Sequence, residues 1–85
     1  MMYRYEFTPK SLKQFRKLDK QIQFRIIKKL DQYCSEPDPL VHSDSITDQE
    51  LGEYKFRIGD YRVVFDLEGD LLTIHRVGDR KDVYK

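Results

Sequence analysis

Residues 54–65 read Tyr54-Lys55-Phe56-Arg57-Ile58-Gly59-Asp60-Tyr61-Arg62-Val63-Val64-Phe65. Two short alternating runs flank Gly59-Asp60, and a two-residue Gly-X loop suits a type II′ turn, whose twist matches that of the strands it joins. The turn sets the register: Ile58 faces Tyr61, Phe56 faces Val63 and Tyr54 faces Phe65. Lys55, Arg57, Arg62 and Val64 then occupy the opposite side. Arg57 stands directly across from Arg62, and like charges opposed on a sheet cost a few tenths to about 1 kcal/mol. An anion bound to that side would offset the repulsion.

The next run, Leu71-Leu72-Thr73-Ile74-His75-Arg76-Val77, follows Glu68-Gly69-Asp70. A two-residue loop at either Glu68-Gly69 or Gly69-Asp70 puts Leu72 and Ile74 with Val63 and Phe65. Thr73 and His75 fall on the basic side. A three-residue loop would set Phe65 against Thr73 and bury a histidine, and a one-residue slip moves the whole apolar set to the wrong face. The exposed face is therefore Lys55, Arg57, Arg62, Thr73 and His75, followed by Gly78-Asp79-Arg80 and Tyr84. Antiparallel sheets often wet one side, so a solvated face is one reading. An all-cationic strand pair points to a phosphate site. Tyr54, Phe56 and Tyr61 belong to the core rather than to base stacking, and Cys34 closes an apolar stripe as a core residue.

Upstream, Tyr3-Arg4-Tyr5-Glu6-Phe7 alternates aromatic and charged residues, the pattern of a half-buried strand. Thr8-Pro9 supplies an N-cap and a proline at the first helical position. Leu12, Phe15 and Leu18 give a short amphipathic helix. Asp19 can cap a second, with Ile22, Ile26, Ile27, Leu30, Tyr33 and Cys34 as its apolar stripe. The short junction from Lys17 to Lys20 implies an antiparallel helical pair. Ser35-Glu36-Pro37-Asp38-Pro39 stops the helix, and Leu40 to Gln49 reads as loop or a loosely ordered turn. The expected fold is α+β, a single domain over residues 1–85: two antiparallel N-terminal helices on one face of a four-stranded, mainly antiparallel sheet, in the order β-α-α-β-β-β.

A chain of 85 residues has a marginal core. One cysteine excludes an intramolecular disulfide, and no Cys/His cluster suggests a metal. No apolar run approaches the roughly 20 residues of a membrane span, nor does the N-terminus have a signal-peptide core. A reducing cytoplasm is the expected location. The net charge of +1 hides a segregation: residues 1–33 carry nine Lys/Arg against three acids, whereas residues 35–53 carry six acids and no Lys/Arg. Separation of this kind makes a local positive field without a basic pI. A solvated helix surface and RNA contact fit the helical part equally well.

The stretch quoted above, with Arg76-Val77-Gly78-Asp79-Arg80-Lys81-Asp82-Val83-Tyr84, resembles the RelE/ParE superfamily of toxin components of prokaryotic type II toxin–antitoxin pairs. The resemblance covers almost the whole chain. Its most specific parts are G-D-Y-R-V-V-F and V-G-x-R-x-x-V-Y. The RelE branch implies a metal-independent endoribonuclease that cuts mRNA in the ribosome, without cofactor, and is suppressed by a RelB-like antitoxin. The ParE branch implies inhibition of DNA gyrase, and a nucleic-acid-binding module without activity is a third reading. Matching positions are Lys55, Arg57, Arg62, Arg80 and Tyr84. The family often has a histidine where Asp79 stands and a lysine where Arg57 stands.

Cleavage by the RNA's own 2′-hydroxyl needs a base for that hydroxyl, cations around the phosphorane and an acid for the 5′-oxygen. The planar forks of Arg57 and Arg62 suit a phosphate. A tyrosine, with a free pKa near 10, serves as base only where neighbouring cations lower it, and Lys55, Arg62 and Arg80 would supply them for Tyr84. The catalytic candidates are thus Lys55, Arg62, Arg80 and Tyr84. Those for substrate binding are Lys55, Arg57, Arg62, His75 and Lys81.

Overall fold

A computed structural model describes residues 2–46 and 52–83. The elements run β1 (Arg4–Phe7), α1 (Pro9–Arg16), α2 (Lys20–Cys34), a 3-10 turn (Pro39–His42), β2 (Ser43–Ser45), β3 (Tyr54–Ile58), β4 (Tyr61–Glu68) and β5 (Leu71–Asp79). Gly59 and Gly69 each have φ 61° and, among the described residues, no other residue type has positive φ, so both hairpin turns place the glycine first, as a type II′ turn requires. The β3–β4 register is the expected one, with Ile58 opposite Tyr61 and Arg57 opposite Arg62. Glu68 pairs with Leu71, which makes Gly69-Asp70 the second loop.

Two expectations are corrected. The sheet has five strands in the order β1-β5-β4-β3-β2, and it is mixed, because β1 runs parallel to β5 with Arg4 opposite Leu71. The fifth strand lies inside the stretch expected to be loop: Ser43, Asp44 and Ser45 pair antiparallel with Phe56, Lys55 and Tyr54. Three polar residues on an edge carry no apolar alternation, so backbone pairing alone makes them a strand. Leu40 to His42 form the end of the 3-10 turn, in keeping with the expected turn, and Thr47 to Gln49 lie outside the described residues.

Simple alternation also fails at one point. Phe65 pairs with Ile74 but Val64 pairs with Arg76, which leaves His75 as a bulge in β5. The extra residue shifts parity by one, so Val77 joins the core opposite Val63 and Arg76 turns to the basic face.

Both helices cover the apolar face. Thr8 Oγ1 accepts the Ser11 N–H at 3.1 Å and Pro9 opens α1, as the sequence implies. Ser11, fully buried, donates its hydroxyl to the Ile74 carbonyl at 2.6 Å and ties α1 to β5. Asp19 does occupy the N-cap of α2, but its side chain makes no capping bond. The Gln23 amide instead donates to Leu18 O at 2.8 Å and closes the junction between the helices. Ile26, Leu30 and Cys34 of α2 meet Phe56, Phe65, Leu72 and Ile74 in one core, where the Phe56 and Phe65 rings stack at 4.4 Å. Tyr5 donates its hydroxyl to Asp31 at 3.0 Å, joining β1 to α2; burial and that bond push its pKa up to about 12.

Truncating Leu30 to alanine leaves a cavity under the sheet and is expected to cost about 2–5 kcal/mol, read as a lower urea midpoint at unchanged slope. Burial pushes the Cys34 thiol up to about 11, so almost none of it is thiolate at pH 8. Iodoacetamide at pH 8 should therefore modify the folded protein far more slowly than the urea-unfolded chain; equal rates would place Cys34 outside the core.

Candidate nucleic-acid interface

The face of β3, β4 and β5 turned away from the helices carries Lys55 and Arg57 from β3, Arg62 and Val64 from β4, and Arg76 from β5. The turn after β5 adds Arg80 and Lys81. That turn is firmly built: Asp79 O accepts the Asp82 and Val83 N–H groups, both at 2.9 Å, and Asp79 Oδ1 accepts the Lys81 N–H at 2.9 Å. Arg80 N donates to Asp60 O at 2.8 Å, which fixes it against the β3–β4 hairpin loop. Asp79 thus shapes the turn that presents the exposed Arg80 and Lys81 side chains. Buried Val83 packs on Gly78, and its carbonyl accepts from Arg76 Nη1 at 3.4 Å.

The expected exposed array is only partly exposed. Arg62 is 8% exposed, and its Nη1 donates to both Gly59 O and Tyr61 O at 2.8 Å. Folding back onto the hairpin loop moves its charge away from Arg57. Arg57 leans the other way, with Nη1 3.9 Å from Asp44 Oδ2 on the neighbouring edge strand. The repulsion expected between them is thus relieved by backbone carbonyls on one side and an acid on the other. Lys55 is half-buried, with Asp44 opposite it on β2 and Val64 on β4.

His75 does lie on this face, but Asp66 already engages it. His75 Nε2 is 2.8 Å from Asp66 Oδ2, and Asp66 Oδ1 accepts the Glu53 N–H at 2.7 Å. The same carboxylate therefore holds the bulged residue and the chain leading into β3. Val64 is fully buried although it faces away from the core, because Gly52 packs on it. Gly52 has φ +138°, and a Cβ there would lie 2.6 Å from Val64 Cγ1, so only glycine fits.

The structure thus gathers Lys55, Arg57, Arg62 and His75 on one face and sets Arg80 and Lys81 at its end; Tyr84 lies outside the described residues. Sequence reasoning missed Arg76 and Asp66. The spacing of Leu72, Ile74 and Val77, two and then three, was the available sign that Arg76 turns outward.

A family model described as the ParE toxin of type II toxin–antitoxin systems matches residues 5–84. A protein from Escherichia coli described as a RelE-like toxin is 34% identical over 89 residues, spanning 99% of this chain and 92% of that one. Among solved structures, a RelBE toxin–antitoxin complex from Mycobacterium tuberculosis superposes with a TM-score of 0.75 at 21% identity, covering 94% of this chain and 100% of that chain. The isolated RelE toxin of E. coli gives 0.71 at 24% identity, over 96% of this chain and 90% of that one. These structures share the fold, and the sequence matches carry the family: the chain belongs to the ParE toxin family and is a RelE-like toxin of a type II toxin–antitoxin system.

Proposed function

We propose that the protein is a metal-independent endoribonuclease that cuts mRNA in the ribosome, in the cytoplasm, and that a RelB-like antitoxin restrains it. The observation that supports this most is the cationic face on the side away from the helices, with Arg62 held in place by two carbonyls and the Arg80 backbone tied to the hairpin loop at Asp60. RelB–RelE complexes among the structural relatives support the antitoxin partner.

In this reading the RNA 2′-oxygen attacks the adjacent phosphorus, the bond to the 5′-oxygen breaks, and a 2′,3′-cyclic phosphate and a 5′-hydroxyl result. Tyr84 takes the proton from the 2′-hydroxyl. Arg80 or Lys55 assists the departing 5′-oxygen. Arg62 spends Nη1 on the hairpin loop, leaving Nε and Nη2 for the phosphorane, and a donor fixed in advance stabilises developing charge without reorganising. Arg57 and Lys81 hold flanking phosphates. His75, held by Asp66, contacts substrate at the rim. Among the described residues nothing on this face aligns the 2′-hydroxyl with the phosphorus, and such alignment carries several kcal/mol of a barrier. The ribosome supplies it.

Induction without antitoxin should stop translation, and primer extension should show codon-phased, translation-dependent cuts. Intact messages with gyrase-linked DNA breaks would establish the ParE-type activity instead. In single-turnover cleavage on programmed ribosomes, Arg80→Ala and Arg62→Ala should lose about a hundredfold or more, the scale of one preorganised donor. His75→Ala should lose less. Tyr84→Phe should lose activity while still binding antitoxin, and full activity would remove Tyr84 from the mechanism.

Because Arg62 also closes the hairpin loop, Arg62→Ala should lose about 1–3 kcal/mol of stability. Arg57→Ala, at an exposed pair, should stay within about 0.5 kcal/mol of the parent. Thermal melts of both variants separate this folding role from the chemistry, and equal losses would mean that the two carbonyl bonds contribute nothing.

A further inference from the structure

A second feature lies on the opposite side of the molecule. Phe24 is 71% exposed, the most exposed of the large apolar side chains among the described residues. It stands on the face of α2 away from the sheet, whose inner face buries Ile26 and Leu30 completely. Lys20 and Lys28 stand one turn before and one turn after it, at i−4 and i+4, so the three side chains form one stripe. Both lysines are exposed, and among the described residues neither forms an ion pair. The preceding helix α1 also exposes Lys13 and Arg16. The nearest acids on these elements are Asp19, at the start of α2, and Asp31, which accepts from Tyr5.

The chemistry of this stripe selects its partner. A second copy of the chain would bring like charges together. A partner helix lying in a groove needs apolar anchors at i, i+3, i+4 and i+7, and the stripe offers a single apolar ring. A ring between two cations one helical turn away on either side matches single-stranded nucleic acid, in which a base stacks on the ring while the phosphates meet the lysines.

We propose that the outward face of α2 is a second RNA-binding surface, on which an unpaired base stacks on Phe24 while Lys20 and Lys28 contact the flanking phosphates. It rests on RNA being the target, as argued above. The surface lies on the side opposite the cationic sheet face, so it anchors RNA without taking part in cleavage.

The test uses the full chain carrying Arg57→Ala and Arg80→Ala, which weakens the sheet face, and a fluorescent 2′-O-methylated 12-nucleotide strand, which cannot be cleaved. An abasic strand of equal length is the control. Phe24→Ala should weaken binding of the base-bearing strand about tenfold, within the range for one stacked base, and leave the abasic strand unchanged. Lys20→Gln with Lys28→Gln should weaken both strands and flatten the salt dependence by about 1.4 in slope, at about 0.7 per lost phosphate contact on a single strand. Unchanged affinity of Phe24→Ala for the base-bearing strand, or an equal loss on both strands, overturns the proposal. A loss confined to antitoxin binding overturns it in favour of a protein partner. Failure of the cleavage reading would appear separately, as absent mRNA cuts with the parent protein.

Discussion

The two sides of β4 organise everything else. Along Tyr61–Glu68, Tyr61, Val63, Phe65 and Leu67 turn towards the helices, while Arg62, Val64 and Asp66 turn away. A strand has a side-chain period of two, so no residue can change sides without moving all the others. Both neighbouring strands take their register from this one through two-residue turns that begin with glycine. The bulge at His75 is the single place where a neighbour departs from that register, and it does so to bury Val77 and free Arg76.

The polar and cationic side chains of the sheet face are engaged by the chain itself. Arg62 is held by carbonyls, Arg57 approaches Asp44, and His75 is bound to Asp66. Asp44, from the acidic segment that looks separate in the sequence, returns on the edge strand beside Lys55 and Arg57. Positive charge is consequently freest at the Arg80-Lys81 turn and along the outer helices, at two ends of the molecule rather than spread over it.

Turn chemistry and apolar spacing made the hairpins, both helices and most of the core legible, because each depends on local residue choices: glycine first in the loop, proline at the helix start, branched residues every second or third position. What remained hidden depends on long-range pairing. Nothing in Tyr3–Phe7 states whether that strand runs parallel or antiparallel to its partner, and Ser43-Asp44-Ser45 has no apolar face to betray a strand. On the basic face, parity located Lys55, Arg57 and Arg62 but not how the guanidinium of Arg62 folds back, since its acceptors are backbone oxygens with no signature in sequence. Asp66 was passed over because its partner sits on the one residue that breaks alternation.

The parallel pairing of β1 with β5 has a consequence for the order of folding. Arg4 meets Asp70 across 66 positions, by backbone and side chain together. The hairpins can close early, because their loops are two residues long and their closure entropy is small. The edge carrying Arg4 cannot dock until Leu71–Ile74 has left the ribosome, and non-local strand pairing is intrinsically slow. Until then α1, whose Ser11 and Gln14 bond to Ile74 and Val77, has no strand to pack on. A chain built this way completes its core only once β5 is in place, and the cationic face that the same strands support waits for that step.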